Sequence, residues 1–64
     1  MTNSKKLRKA ISTLKDNVNY TNHNPIVDTE EMFNKILWVN GENESSTIPS
    51  GLSWTAVKAE MDKL

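Results

Sequence analysis

The strongest constraint on this chain is that it has only 64 residues and no cysteine. A domain of this size buries only about 60% of the surface that its unfolded chain exposes, so its stability margin is narrow. Small domains often add disulfides, a structural metal or an oligomeric partner. Without cysteine, disulfides and zinc–thiolate sites are excluded. We therefore expect one small domain over residues 1–64 that is stabilised by a partner chain.

Charge is unevenly distributed along the chain, although the formal net charge is zero. Every charged side chain in the first 15 residues is basic, and the acidic side chains concentrate between residues 28 and 44. The early basic residues are Lys5, Lys6, Arg8, Lys9 and Lys15. Such polarity can steer association with a charged surface, but it says nothing about the fold.

The sequence predicts neither a membrane span nor a secretory signal. The longest apolar run, Ile36–Val39, is far too short to cross a bilayer. The N-terminus also lacks the apolar segment of a signal peptide. We expect no membrane contact and a protein that stays in the compartment where it is made.

Hydrophobic spacing predicts a mainly α fold with three short amphipathic helices, at about residues 4–18, 29–40 and 54–64, joined by polar loops. In the first helix the apolar residues fall at i, i+4, i+7 and i+11, which is a narrow stripe. They are Leu7, Ile11, Leu14 and Val18. Asn3 or Ser4 is the expected N-cap.

The second helix is predicted from its start and stop signals. Asp28 is the expected cap, Glu31 can bond back to it, and Val27 can pack on Met32. Its apolar face is expected to contain Met32, Phe33, Ile36 and Leu37. Asn40-Gly41 is a favourable left-handed stop. A weaker alternative is a β-hairpin across Asn40-Gly41 that pairs residues 36–39 with a strand near Ile48.

The third helix has the clearest signals in the chain. Ser53 is the expected N-cap, and Leu52 can pack on Val57 as a hydrophobic staple. Trp54, Val57, Met61 and Leu64 then repeat at helical spacing. Between the second and third helices, residues 42–51 form a long polar loop, which is a candidate contact segment.

The residue inventory argues against an enzyme. His23 is the only histidine, lies in an Asn-rich loop, and has no cysteine or second histidine beside it to bind a metal. Asp28, Glu30 and Glu31 are explained by capping and by the helix dipole. No catalytic, cofactor-binding or metal-binding residues are therefore predicted.

Aromatic and methionine side chains are the remaining candidates for partner contacts, since such residues anchor interfaces. They also suit the core of a minimal domain. With the one apolar residue of the polar loop, the candidate contacts are Tyr20, Trp38, Ile48, Trp54 and Met61.

The terminal segment Ser53–Met61 resembles the Trp-x-x-Val-Lys-x-Glu helix that ends small proteins of tailed bacteriophages. The motif residues here are Trp54, Val57, Lys58 and Glu60. The resemblance implies a minor virion or assembly component, or a small inhibitor of a host protein. It thereby implies a location in the virion or the host cytoplasm. It transfers no functional residues.

Two functional hypotheses follow. The first is a non-enzymatic interaction protein that docks on a larger protein or on copies of itself through the apolar stripes of its helices and the loop of residues 42–51. The second is a nucleic-acid-binding accessory protein whose basic first helix contacts phosphates through Lys5, Lys6, Arg8 and Lys9. The zero net charge and the charge-balanced third helix favour the first hypothesis.

Overall fold

The structure, a computed structural model, describes residues 1–64. It contains helices α1 (Asn3–Leu14), α2 (Glu30–Phe33) and α3 (Trp54–Asp62), and strands β1 (Asn19–Thr21), β2 (Leu37–Asn40) and β3 (Asn43–Ser45). The strands form one antiparallel sheet in the order β1-β2-β3. The prediction of a mainly α fold is therefore wrong, and the chain has an α+β fold.

The first predicted helix is present but shorter than expected. Leu7 and Ile11 are buried, as the stripe predicts. The N-cap is Thr2 instead of Asn3 or Ser4, and its hydroxyl accepts a hydrogen bond from the backbone N–H of Lys5 at 3.4 Å. The helix ends at Leu14, four residues before the predicted end at Val18.

The early end of α1 has a local cause. Asp16 and Asn17 are poor helix formers, and Asn17 adopts a left-handed conformation with φ of 59°. Asn tolerates this region better than most residues. The chain reverses here and enters β1, so Val18 packs against the core from outside the helix.

The second predicted helix is mostly wrong. α2 is a single turn, and its N-cap is Thr29, whose hydroxyl accepts from the N–H of Met32 at 3.2 Å, instead of Asp28. After it, Ile36 and Trp38 are buried while Leu37 between them is half-buried. This alternation has the period of a strand. β-branched and aromatic residues in this stretch also favour strand over helix.

The alternative prediction of a β-hairpin is correct in the position of the turn and wrong in the position of the second strand. β2 and β3 are joined by Gly41 and Glu42, with Asn40 paired to Asn43. Gly41 has φ of 66° and Glu42 has a negative φ, which is the sign pattern of a type II′ turn. The partner strand is Asn43–Ser45 and not a segment near Ile48.

β1 lies where a loop was predicted, between residues 19 and 28. Its residues pair with β2 in the register Asn19 to Val39, Tyr20 to Trp38 and Thr21 to Leu37. Residues directly opposite each other share a face of the sheet. Tyr20 and Trp38 therefore face the core together, and Leu37 and Val39 lie on the opposite face.

The third predicted helix is confirmed apart from its last two residues. The Ser53 hydroxyl accepts from the N–H of Ala56 at 3.2 Å, as expected of an N-cap. Leu52 and Val57 are both buried in the core, as the staple requires. The helix ends at Asp62 instead of Leu64.

A single core lies between the two long helices and the sheet. Its ten buried residues are Leu7, Ala10, Ile11, Val27, Phe33, Ile36, Trp38, Leu52, Val57 and Met61. The four aromatic rings of the chain form a continuous row through it. Ring centroids are 5.6 Å apart for Tyr20 and Trp38, 5.7 Å for Trp38 and Phe33, and 5.6 Å for Phe33 and Trp54. The row ties both strands β1 and β2 to α2 and α3.

We predict that the Phe33→Ala substitution leaves most of the molecules unfolded. Phe33 is fully buried and contacts two of the other three aromatic rings. Truncating such a ring costs about 3–5 kcal/mol, which is comparable with the roughly 3–5 kcal/mol that a core of this size supplies. Urea denaturation followed by circular dichroism measures the effect. The control is Leu64→Ala, since Leu64 is 41% exposed. Equal midpoints for the two variants would contradict this view of the core.

Candidate functional site

The structure divides the predicted contact residues among the core and three surface clefts. Trp38 and Met61 are buried in the core, and Tyr20, Ile48 and Trp54 are half-buried and pack against it. Trp38 and Ile48 line one cleft, Trp54 and Met61 line a second, and Tyr20 lines a third. The five residues therefore do not form a single binding surface.

The cleft beside Tyr20, which we name the basic cleft, has a volume of about 360 Å³. It lies between the first turns of α1 and the segment that follows β1. Its lining residues are Ser4, Lys5, Leu7, Arg8, Tyr20, Asn22, Asn24 and Pro25. No carboxylate is among them, so the cleft offers hydrogen-bond donors and positive charge to a ligand.

Arg8 and Tyr20 form the centre of the basic cleft. The guanidinium carbon of Arg8 lies 5.4 Å from the centroid of the Tyr20 ring, which is the geometry of a cation–π contact. Burial raises the pKa of the Tyr20 hydroxyl above its usual value, and the positive charge of Arg8 offsets part of that rise. The hydroxyl therefore stays protonated at neutral pH and can donate a hydrogen bond.

The wall opposite α1 is held by side-chain to backbone hydrogen bonds. The Asn3 amide donates to the Val27 carbonyl at 3.1 Å, and its oxygen accepts from the Val27 N–H at 2.8 Å. The Asn22 side-chain oxygen accepts from the Asn24 N–H at 3.0 Å. These bonds fix both ends of the segment between β1 and α2 and so give the cleft its shape.

The basic residues of α1 have no ionic partner, in contrast to the three lysines after residue 30. Lys35 pairs with Glu31 at 3.7 Å. Lys58 pairs with Asp62, and Lys63 pairs with Glu60, each at 3.0 Å. Those are all the ion pairs of the chain. The positive charges on α1 are thus available to an external anion.

The four residues of the predicted basic patch do not share one face. Lys5, Arg8 and Lys9 are exposed, and we name these three side chains the basic face. Lys6 is half-buried and lines the cleft of Trp54 and Met61, which has a volume of about 150 Å³. Asp28, Lys58 and Asp62 also line that cleft, so the charges around Lys6 are of both signs.

The third and largest cleft, about 490 Å³, lies between the end of α1, the sheet and residues 47–50. We name residues 47–50 the strap and this space the strap cleft. Lys15 donates a hydrogen bond from Nζ to the Ser50 carbonyl at 2.6 Å and so joins the strap to the residue that caps α1. Trp38 and Ile48 both line the strap cleft.

Other candidates for chemistry lie apart from these clefts. His23 is exposed in the segment after β1. Glu30 and Glu31 occupy the first turn of α2, where their negative charges interact favourably with the helix dipole. The structure contains no cluster of three or more His, Asp or Glu side chains with the arrangement of a metal site. Each of its helices is too short and too polar to cross a membrane.

Comparison with protein-family models, with curated proteins and with solved structures finds no match. The site must therefore be interpreted from its own geometry.

Sequence reasoning missed Asn22 and Asn24 in the basic cleft and Lys15 in the strap cleft. The two Asn residues lie between the first two predicted helices, and nothing in the neighbouring sequence indicates that they face α1. Lys15 stood out only as part of the basic cluster. Its link to Ser50 joins residues 35 positions apart, so no local pattern could reveal it.

We predict that Tyr20 ionises above the usual value of about pH 10, and that Arg8→Gln moves its pKa still higher because the offsetting charge is lost. Tyr20 is the only tyrosine of the chain, so ultraviolet absorbance of the phenolate measures it directly. The folded-state pKa is raised above the unfolded-state pKa. The neutral phenol therefore contributes stability that is fully present below about pH 10 and is lost as the pH rises through the folded-state pKa.

The control is Lys9→Gln, which removes the same charge from a neighbouring residue that does not contribute to the shift. A Tyr20 pKa that falls in the Arg8 variant, or that changes equally in both variants, would disprove the Arg8–Tyr20 contact.

Proposed function

We propose that this chain is a non-enzymatic interaction protein that docks on an acidic surface of a larger protein through its basic face. The observation that carries the proposal is the pairing of charges. The three lysines after residue 30 each pair with an acid three or four positions away in the chain. Lys5, Arg8 and Lys9, in contrast, are exposed and form no ion pair. An acidic partner supplies the missing charges.

The basic face has the dimensions of a short protein contact. Lys5, Arg8 and Lys9 span about one helical turn, which is roughly 5.4 Å along the axis. Beside them, the Tyr20 ring adds an aromatic contact that is held in place by the core. Arg and Tyr are enriched at the energetic centres of protein interfaces. The basic cleft next to them can accept a carboxylate side chain of the partner.

A nucleic acid is the second candidate partner. It is favoured by the lining of the basic cleft, which combines Lys5, Arg8 and an aromatic ring without any carboxylate. Three exposed cations neutralise few phosphates, however, and the affinity of such proteins depends on the number of phosphates contacted. The zero net charge of the chain also provides no general attraction to a polyanion.

We also propose a bacteriophage origin, as a minor virion component or an inhibitor of a host protein, acting in the virion or the host cytoplasm. The support is the likeness of residues 53–61 to the terminal helix of small phage proteins. In the structure this segment belongs to α3 and its N-cap, with Val57 and Met61 buried. Of the motif residues, Val57 lies in the core and Trp54 packs against it, whereas Lys58 is exposed. The basic face lies on a different helix.

We predict that replacing Lys5, Arg8 and Lys9 together by Gln weakens binding to an acidic partner at least tenfold. Each lost charge-assisted hydrogen bond is worth about 1.5–3 kcal/mol when desolvated and less at an exposed site. The matched control replaces Lys35, Lys58 and Lys63 by Gln. It removes the same three charges, but these are already paired within the chain.

Fluorescence anisotropy of the full chain with a labelled Glu-rich peptide, and separately with a labelled DNA duplex, at two salt concentrations provides the measurement. The proposal expects peptide binding that the basic-face variant loses and the control variant retains. A preference for the duplex with a steep salt dependence would transfer the function to nucleic acid. Equal losses in both triple variants would show that net charge, and not the basic face, causes binding.

A further inference from the structure

The strap cleft is the one cleft of the three whose lining surface is mainly apolar. The apolar lining residues are Val18, Trp38, Val39, Ile48 and Pro49, and the other seven are polar. Its volume of about 490 Å³ falls within the roughly 300–1,000 Å³ typical of small-molecule sites. The cleft can therefore hold a small ligand with an apolar body.

Trp38 carries a buried hydrogen-bond donor that has no acceptor. Its side chain is 3% exposed, and the indole Nε1–H has neither a partner nor access to solvent. Burying a donor without an acceptor is unfavourable, and native structures seldom leave one unpaired. Trp38 is a lining residue of the strap cleft, so its unpaired donor is a candidate contact for a ligand that carries an oxygen atom.

Lys15 is the only charged residue that lines the strap cleft. Its ammonium group uses one N–H on the Ser50 carbonyl and forms no ion pair. Since an ammonium group has three N–H donors, two remain for a ligand. Charge complementarity therefore selects an anionic ligand, and the apolar walls select one with a compact hydrocarbon body.

The strap has few attachments that would prevent a ligand from entering the strap cleft. The bond from Lys15 to Ser50 is its one hydrogen bond to the α1 side of the cleft. Gly51 follows the strap with φ of 94°, a conformation that glycine adopts without strain. Residues 47–50 can therefore move at this glycine without straining the backbone.

We propose that the strap cleft binds a small aromatic or branched aliphatic carboxylate. The carboxylate contacts Lys15, and the hydrocarbon body lies against Ile48 and Pro49. Displacement of the strap at Gly51 lets a carboxylate oxygen accept from the Trp38 indole. This site is independent of the basic face, which lies nearer the start of α1.

Titration of the ¹⁵N-labelled full chain with benzoate tests the proposal, with benzamide as an uncharged molecule of the same shape. The chain has two tryptophans, so two indole N–H signals report on two places. We expect benzoate to shift the Trp38 indole signal in a saturable manner and to leave the Trp54 signal in place. Benzamide should bind about tenfold more weakly, since it lacks the charge.

Variants of Lys15 separate charge from structure. Lys15→Gln should weaken benzoate binding about tenfold, and Lys15→Arg should retain it. Lys9→Gln removes the same charge from the exposed side of α1 and should have no effect. The triple Gln variant of the basic face should also bind benzoate normally, which distinguishes this site from the proposed docking surface.

Three results would overturn the proposal. The first is a Trp38 signal that benzoate does not move at millimolar concentration in the folded protein. The second is equal binding of benzoate and benzamide, which removes the role of Lys15. The third is a Trp38 shift caused by an acidic peptide and not by benzoate, which assigns the strap cleft to a polypeptide.

Discussion

The packing of Trp38 between Tyr20 and Phe33 is the interaction on which the rest of this structure depends. A chain of 64 residues cannot build a thick core, and this one concentrates its large rings in a single row from β1 through β2 and α2 to α3. Arg8 of α1 lies on the Tyr20 end of the row. Aromatic rings bury a large area each and contact one another with defined geometry. The four rings, together with Arg8, therefore connect all three helices to the sheet.

The parts of the fold that were predictable are those set by neighbouring residues. The cap and staple of α3 depend on Leu52, Ser53 and Val57, which lie within one and a half turns of one another, and the structure has them as predicted. The run Ile36–Val39 was not predictable in this way, because a short apolar run fits a helix and a strand equally well. It becomes a strand through pairing with β1 and β3. Those strands are polar and mostly exposed, so neither shows an apolar alternation.

The candidate site likewise combines residues that the sequence identifies with contacts that only the strand pairing creates. Lys5, Arg8 and Tyr20 were each recognisable as candidates, but only the pairing of β1 with β2 brings Tyr20 against α1. The unpaired indole N–H of Trp38 also results from the pairing of β1 with β2. The register that aligns Tyr20 with Trp38 also holds the indole in the core, where no acceptor meets its N–H. A local reading of the sequence can identify aromatic residues but cannot say which polar atoms they leave unpaired.

The free charges of α1, in contrast, follow from the sequence itself. Ion pairs on a helix surface form between residues three or four positions apart. The three ion pairs in and directly after α2 and α3 have this spacing. α1 contains no acidic residue, so its cations have no partner within the helix. α3, which packs against α1, uses Glu60 and Asp62 for its own lysines. The fold could have neutralised α1 from outside and does not. The fold instead places the Tyr20 ring beside Arg8. The exposed basic helix therefore has an aromatic side chain in a fixed position next to its cations.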